Sequence, residues 1–289
     1  MLVFPFGNNQ KLEPSIAMKS IEPPHPKSQA GIMAEKFISD HVLIYLAAGT
    51  LHCFNATQHY TFRQGDYFMA RKNRLARYKI EKSQEGFDPI AFCFDEPFLN
   101  EYQKKHQPPS KKSISKDTFI AIRQTEVLAS FIHSLTPYYT GPYQLDKDFE
   151  AVKQEELLLI LLKQQPELAN FLFDFGAPEK IDLEEFMQKN FMFNVSLKRF
   201  AFLTGRSISA FKRDFFTIFN DTPSHWLVQR RLQEAYFLIG EKFRKPSDIY
   251  LDLGFEALSH FSAAFKKQFG FTPTELTERT KPISHSLPH

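Results

Sequence analysis

GRSISAFKRDFFTIFNDTP (Gly205–Pro223) and GFEALSHFSAAFKKQFGFTP (Gly254–Pro273) are two copies of one short helical unit, and they decide the fold of the last third of the chain. Phe211, Phe215, Phe219, Thr222 and Pro223 return as Phe261, Phe265, Phe269, Thr272 and Pro273, each 50 residues later. The turn glycine returns as well, Gly205 as Gly254, at an offset of 49 because the second turn is one residue longer. At about 3.6 residues per turn, the first copy puts Ile208, Phe211, Phe215, Ile218 and Phe219 on one side of a helix. Ser209, Lys212, Arg213, Phe216 and Thr217 lie on the other. In the second copy Phe261, Ala264, Phe265 and Phe269 face inward, while Ser259, His260, Ser262, Ala263, Lys266 and Lys267 face outward. A stripe that anchors to its own domain, backed by hydroxyls and cations, is what a helix needs to read base edges and phosphates. Two such units in a row fit successive major grooves of double-stranded DNA.

The flanking residues supply the rest of a helical domain. Asp182 and Glu185 form a capping box that opens a helix through Asn190, and Ser196 caps the helix LKRFAFLT, which ends at Gly205. Ser207 starts the helix that runs to Phe219. Thr222 as N-cap and Pro223 at the first helical position begin a long helix to Gly240, a fixed spacer between the two units. Thr272, Pro273 and Glu275 open a short closing helix with a second capping box.

From Ile181 to Arg279 the chain resembles the AraC/XylS transcriptional regulators, most specifically in GFEALSHFSAAFKKQFGFTP and in SISAFKRDFFTIFNDTPSHWLVQRRLQEA with its Arg213, Arg231, Leu232 and Ala235. The resemblance implies a seven-helix domain with two helix-turn-helix units on consecutive major grooves. It implies base contacts from Ser209, Lys212 and Arg213 and from Ser259, His260, Ser262 and Ala263. There are departures: Ala263 stands where Arg is frequent, Phe216 where a basic residue is common, and Tyr250 where a small Ala lets helices cross. Sequence reading is therefore expected from the first unit, with phosphate contacts from Lys266 and Lys267 in the second.

Composition sets the frame. With 43% hydrophobic and 24% charged residues the chain is a globular protein, and its 289 residues suffice for two domains. Net charge is +3, and all of that excess lies from Gly176 onward, where 16 Lys and Arg face 13 Asp and Glu. That is a modest electrostatic footprint for DNA. No run of about 18 apolar residues spans a membrane, and the opening MLVFPFGNNQKLEP has no secretory pattern. The expected compartment is the cytoplasm, with Cys53 and Cys93 as reduced thiols.

The first half reads differently. Residues 1–35 are Pro-rich and irregular, and from His41 to Asp95 short apolar strands alternate with turns: HVLIYLAA, LHCF, HYTF, DYFMA, ARYKI and PIAFCF. That spacing suggests a small barrel or sandwich. A basic loop (103–116), a helix over Asp117–Leu135 and a helix over Asp148–Lys163 follow. The run Leu157–Leu162 is apolar on every face, so that second helix is buried in its domain or against another chain. The Lys111-Lys112 patch reads as an exposed loop.

The regulators named above that share this layout carry a cupin-like β-barrel that senses a ligand, followed by dimerising helices. The expected architecture is thus α+β in two domains. Residues 1–176 form the cupin-like sensor and dimerisation domain, and residues 177–289 the all-α domain with two helix-turn-helix units. Metal-binding cupins use a close His pair, a Glu and a later His; here His52 and His59 stand without a His-x-His or a later His, so no metal site is expected. His41, His52 and His59 read as barrel residues, and Phe54, Tyr60, Phe62, Tyr67, Phe68 and Tyr78 as core or pocket lining. No catalytic signature occurs, and Glu155-Glu156 reads as a solvated helix edge.

The leading expectation is a homodimeric transcriptional regulator that binds double-stranded DNA, contacts RNA polymerase and answers to a small-molecule effector. A second expectation keeps the DNA reader but places its N-terminal half under a regulatory protein. A third, a cupin-type enzyme with a DNA-binding tail, lacks the metal ligands it would require.

Overall fold

In the computed structural model, which describes residues 34–108, 117–141 and 144–280, eight strands form two four-stranded antiparallel sheets. They are β1 (Ala34–Ile38), β2 (His41–Ala48), β3 (Thr50–Phe54), β4 (His59–Arg63), β5 (Tyr67–Ala70), β6 (Arg74–Glu81), β7 (Asp88–Phe94) and β8 (Phe119–Ile122). One sheet has the order β1-β6-β3-β4 and the other β7-β2-β5-β8. Val42, Ile44 and Leu46 of β2, Leu51 and Cys53 of β3, Phe68 of β5 and Tyr78 of β6 meet between the sheets. Alternate residues of the second sheet, including Leu43, Met69, Phe92 and Phe94, point the other way, into a core built with helices. A sheet covered on both faces accounts for the unbroken apolar run of β2.

Those helices are α1 (Glu96–His106), α2 (Glu126–Ser134), α3 (Lys147–Gln164) and α4 (Ala169–Leu172), with a small ribbon of β9 (Tyr139–Gly141) and β10 (Gln144–Leu145) ahead of α3. Three expectations change here. Residues 119–122 are strand β8, paired with β5, rather than the start of a helix; α2 begins only after Thr125, whose hydroxyl accepts from Leu128 N–H. The segment 96–106, partly assigned to a basic loop, is helical and capped by Asp95. Strand β1 begins within the stretch read as irregular, at Ala34 and Glu35, and continues to Ile38. Lys111 and Lys112 lie outside the described residues.

The leucine run resolves inward. Leu157, Leu158 and Leu161 are fully buried within the domain, whereas Leu159, with Val152 two turns before it, remains exposed. The all-round apolar character therefore splits into a core face and an outer face.

The remaining helices are α5 (Leu183–Asn190), α6 (Leu197–Leu203), α7 (Ile208–Phe219), α8 (Pro223–Gly240), α9 (Pro246–Ile249), α10 (Leu258–Phe269) and α11 (Pro273–Thr280). They form two separate small cores. Phe200, Phe211, Phe215 and Leu227 belong to the first, and Leu232, Ala235, Ile239, Phe261 and Phe265 to the second. The N-terminal half of α8 thus serves one unit and its C-terminal half the other, along a rod of ~27 Å. Tyr250, bulkier than the Ala the family pattern favours, is accommodated at the edge of the second core.

The β-rich half packs directly on the first helical core. Leu75 of β6 is buried in that core, and the Arg199 guanidinium lies 3.5 Å from the centre of the Phe37 ring. Arg77, also on β6, donates to the carbonyl of Met192 and lies over the ring of Phe193 at 4.8 Å.

Candidate nucleic-acid interface

Local sequence dictates α7. Ser207 caps it, its hydroxyl accepting from Ala210 N–H, and Asn220 closes it in the left-handed conformation with φ 51°. Phe211 and Phe215 are fully buried and fix the rotation of the helix. The opposite face is open: Ser209, Lys212, Arg213, Phe216 and Thr217 are all exposed. The three first-unit site residues expected from sequence therefore share one solvent face.

Arg213 is held rather than free. Its side chain is 75% exposed, and Nη2 lies 3.2 Å from Oδ1 of Asp214. Asp214 in turn pairs with Arg206 Nε at 3.2 Å and with Lys180 Nζ at 3.5 Å. Arg206, and after it Arg213, hold the Asp214 carboxyl below its usual range. An exposed pair of this kind is worth little in water, so Arg213 can exchange Asp214 for a base edge or phosphate at small cost. The sequence reading did not single out Asp214; its signal was an acid directly beside the expected reader.

The second unit is built alike but presents other chemistry. Gly270 closes α10 with φ 83°, and Ser259, His260, Ala263, Lys266 and Lys267 are exposed. Ser262 is half-buried, so its hydroxyl is less open than the helical repeat suggested. Lys266 and Lys267 lie in the last turn of α10, where the helix dipole favours cations in any case. Gln268 donates to Gln229 of α8 at 2.8 Å, tying this end to the spacer helix.

One buried arginine joins the two units. Arg231, 8% exposed, donates through Nε to Phe191 O at 2.8 Å, through Nη2 to Phe193 O at 2.9 Å and through Nη1 to Gly254 O at 2.9 Å. Phe191 and Phe193 flank the carbonyl that accepts from Arg77, so three consecutive carbonyls before α6 are taken by two arginines. The two turn glycines are required here. A Cβ at Gly205 would lie 2.5 Å from the Glu179 backbone, and one at Gly254 2.7 Å from Met192 O and 2.8 Å from the Arg231 guanidinium carbon. Both have positive φ, 66° and 78°. The linking role of Arg231 was not foreseen; a cation at a core position between Leu227 and Ala235 was the available signal.

The β-rich half holds a cavity of about 40 Å³ between its sheets, lined by residues that include Val42, Leu51, Cys53, Phe68, Tyr78 and Phe119. Phe62 and Phe68 stack at 3.7 Å, and Phe119 meets both edge-on. The aromatics expected as core or lining thus divide: Phe62 and Phe68 fill the interior, and Tyr67 faces the helices. His52 is bound to Glu81 at 3.1 Å and Thr61 at 3.2 Å, with His59 stacked on Phe54 at the edge of the sheet. Cys53 is buried and Cys93 half-buried, and burial pushes the Cys53 thiol up. No described helix is long and apolar enough to cross a membrane.

Residues 41–171 match the family described as the ExsA N-terminal regulatory domain, and residues 200–279 match a helix-turn-helix domain family. The virulence regulon transcriptional activator VirF of Yersinia enterocolitica is 24% identical over 241 residues, covering 81% of this chain and 87% of VirF. The transcriptional regulator ExsA of Pseudomonas aeruginosa is 23% identical over 214 residues, covering 73% of this chain and 74% of ExsA. Among solved structures, ToxT of Vibrio cholerae is similar over 88% of this chain and 95% of that one, with 14% identity and a TM-score of 0.42.

Proposed function

Because the chain belongs to the AraC family of transcriptional regulators, a regulatory domain ahead of a helix-turn-helix DNA-binding domain, we propose that it reads its operator with unequal halves. In this reading residues 1–176 receive the signal and residues 177–289 bind DNA. Ser209, Lys212 and Arg213 recognise bases; Ser259, His260 and Ser262 add contacts in the next groove, and Lys266 and Lys267 clamp phosphates. The observation that carries it is the pair of open helix faces, one with Arg213 and one with the two lysines, pinned through a single buried Arg231. Arg213→Ala should cost about 1–3 kcal/mol on the preferred site and relax base choice. Lys266→Ala should weaken all sequences alike and lower the salt slope by about 1. Anisotropy titrations on matched and scrambled sites test this; the reverse pattern overturns the division of labour.

For the signal, two readings differ in their ligand. A small apolar molecule between the sheets would have to widen a cavity of about 40 Å³, whereas pockets for metabolite-sized ligands run to roughly 300–1,000 Å³. The filled interior favours a macromolecular partner on the outside of the domain. Native mass spectrometry of the purified protein separates the two, since a retained small molecule would restore the first reading. Homodimerisation is assigned to the outer faces of α2 and α3, where Val127, Val152 and Leu159 are exposed. Leu159→Glu should then give folded monomers by sedimentation, while Leu158→Glu should unfold the domain. RNA polymerase is the partner through which activation would act, and no catalytic step is involved.

A further inference from the structure

Phe216 lies in the middle of the reading face of α7. Counted from Ser209, the exposed residues fall at i, i+3, i+4 and i+7, which places Ser209, Lys212, Arg213 and Phe216 on one stripe. Phe216 is 55% exposed and takes no part in the core that buries Phe211 and Phe215, although Phe215 is its immediate neighbour in the chain. Among the described residues its ring packs against no other aromatic ring. Its neighbour Thr217 turns its hydroxyl back to Arg213 O at 3.1 Å, leaving the end of the stripe to the phenyl group. The second unit marks the same position independently. Fifty residues on, Phe216 answers to Lys266, also exposed, so this position points outward in both copies and carries an aromatic in one and a cation in the other.

An isolated exposed phenylalanine needs no explanation on an ordinary surface. Here its setting restricts what can cover it, because Lys212 and Arg213 precede it by one turn on the same stripe and draw a polyanion to this face. Within the major groove the apolar group on display is the C5 methyl of thymine. The helix rise puts Phe216 about 4.5 Å beyond Arg213 along the axis, close to one base-pair step. We infer that Phe216 is a specificity-determining residue whose ring contacts a thymine methyl group one step beyond the base pair met by Arg213. The inference rests on the reading of α7 as a major-groove helix and adds a base preference to it.

The test removes one methyl at a time. The full-length protein selects sites from random-sequence duplex DNA. Each thymine of the first-unit half-site is then replaced singly by deoxyuridine, and affinities are measured for wild type, Phe216→Ala and Phe216→Lys. One replacement should weaken wild-type binding about fourfold, the effect of withdrawing one methyl from an apolar contact. Phe216→Ala should bind more weakly and be indifferent to that same replacement. Phe216→Lys should lose the thymine preference there, keep the preference at the Arg213 pair and raise the salt slope by about 1. Unchanged far-UV circular dichroism of both variants shows that the fold is kept. If wild type and Phe216→Ala respond equally to every deoxyuridine, or the selected sites hold no thymine there, the methyl contact is overturned while the DNA reader stands. If wild type selects no site at all, the groove assignment falls and the inference with it.

Discussion

Replacing Arg231 by Lys keeps the charge and most of the volume but removes the fork. The guanidinium holds three carbonyls at 2.8, 2.9 and 2.9 Å, two from the turn before α6 and one from the turn before α10. An ammonium on a flexible stem cannot reach three divergent acceptors at once, so two contacts are lost or routed through water. Hydrogen bonds to charged groups are worth about 1.5–3 kcal/mol each, and the site is 8% exposed, so the loss of two should be about 3–6 kcal/mol. That is a large share of the roughly 5–15 kcal/mol of a typical domain. Trp226, the single tryptophan, packs on Phe219 at 4.6 Å and Phe215 at 5.5 Å and reports the melting of the first unit. Urea titration followed by its fluorescence should show a lower midpoint for Arg231→Lys and a lower one still for Arg231→Met. Because Arg231 also fixes one unit against the other, binding to a full two-groove site should fall more than binding to a first-unit half-site. A midpoint within error of wild type, with full-site affinity intact, would refute the claim that this guanidinium links the units.

Gly254→Ala should be about as damaging as losing Arg231, since a Cβ there meets backbone at 2.7 Å and the residue sits at φ 78°; a thermal midpoint equal to wild type would contradict this. His41 is 2% exposed, and burial, then Lys72 and Arg71, push its pKa down to about 3. Below its ordinary value the unfolded chain takes up a proton that the folded chain refuses, so this stability is present at neutral pH and lost as pH falls from about 6.5 towards 3. Between about pH 7.5 and pH 5 the loss should be about 2 kcal/mol, and His41→Gln should remove it; equal pH slopes for both proteins would exclude the assignment. Arg77→Ala removes the donor to Met192 O and the cation over Phe193, so amide exchange at residues 191–193 and tryptic cleavage after Lys180 should both accelerate. Identical exchange in the variant would mean that β6 merely touches the helical half.

Much of the β-rich half was legible because its strands are short, apolar and separated by turns such as Gly65-Asp66. Six strand segments followed from that pattern, and α3 extends one residue beyond the expected Asp148–Lys163 at each end. FIAI (119–122) did not, because Phe119 and Ile122 at a spacing of three suit a helical stripe as well as a strand. Pairing with β5 decided it, and no local signal carries a partner strand's position. The missed helix α1 was readable in part: Asp95 caps it, and Leu99 and Tyr102 form its buried face. In the helical half the caps were read correctly at Asp182, Ser196, Ser207 and Thr272, and the Thr272–Glu275 box closes in both directions, at 2.6 and 3.2 Å. Thr222 precedes α8 as expected but makes no side-chain cap; its own N–H donates to Asp221 Oδ1 at 2.6 Å.

By itself the sequence determined the helical units, since helical period, capping hydroxyls and turn glycines act over four or five residues and are written in consecutive letters. It also determined most of the open faces, because the phenylalanines that must be buried fix the rotation of α7 and α10, although Ile218, expected inside, is exposed and Ser262, expected outside, is half-buried. Only the tertiary structure decided how the pieces are held together. The convergence of Arg77 and Arg231 on carbonyls 191–193, the inward and outward split of the leucine run, and the parking of Arg213 on Asp214 all join residues through space. Such contacts depend on where the chain returns, and side-chain type alone does not encode the returning partner.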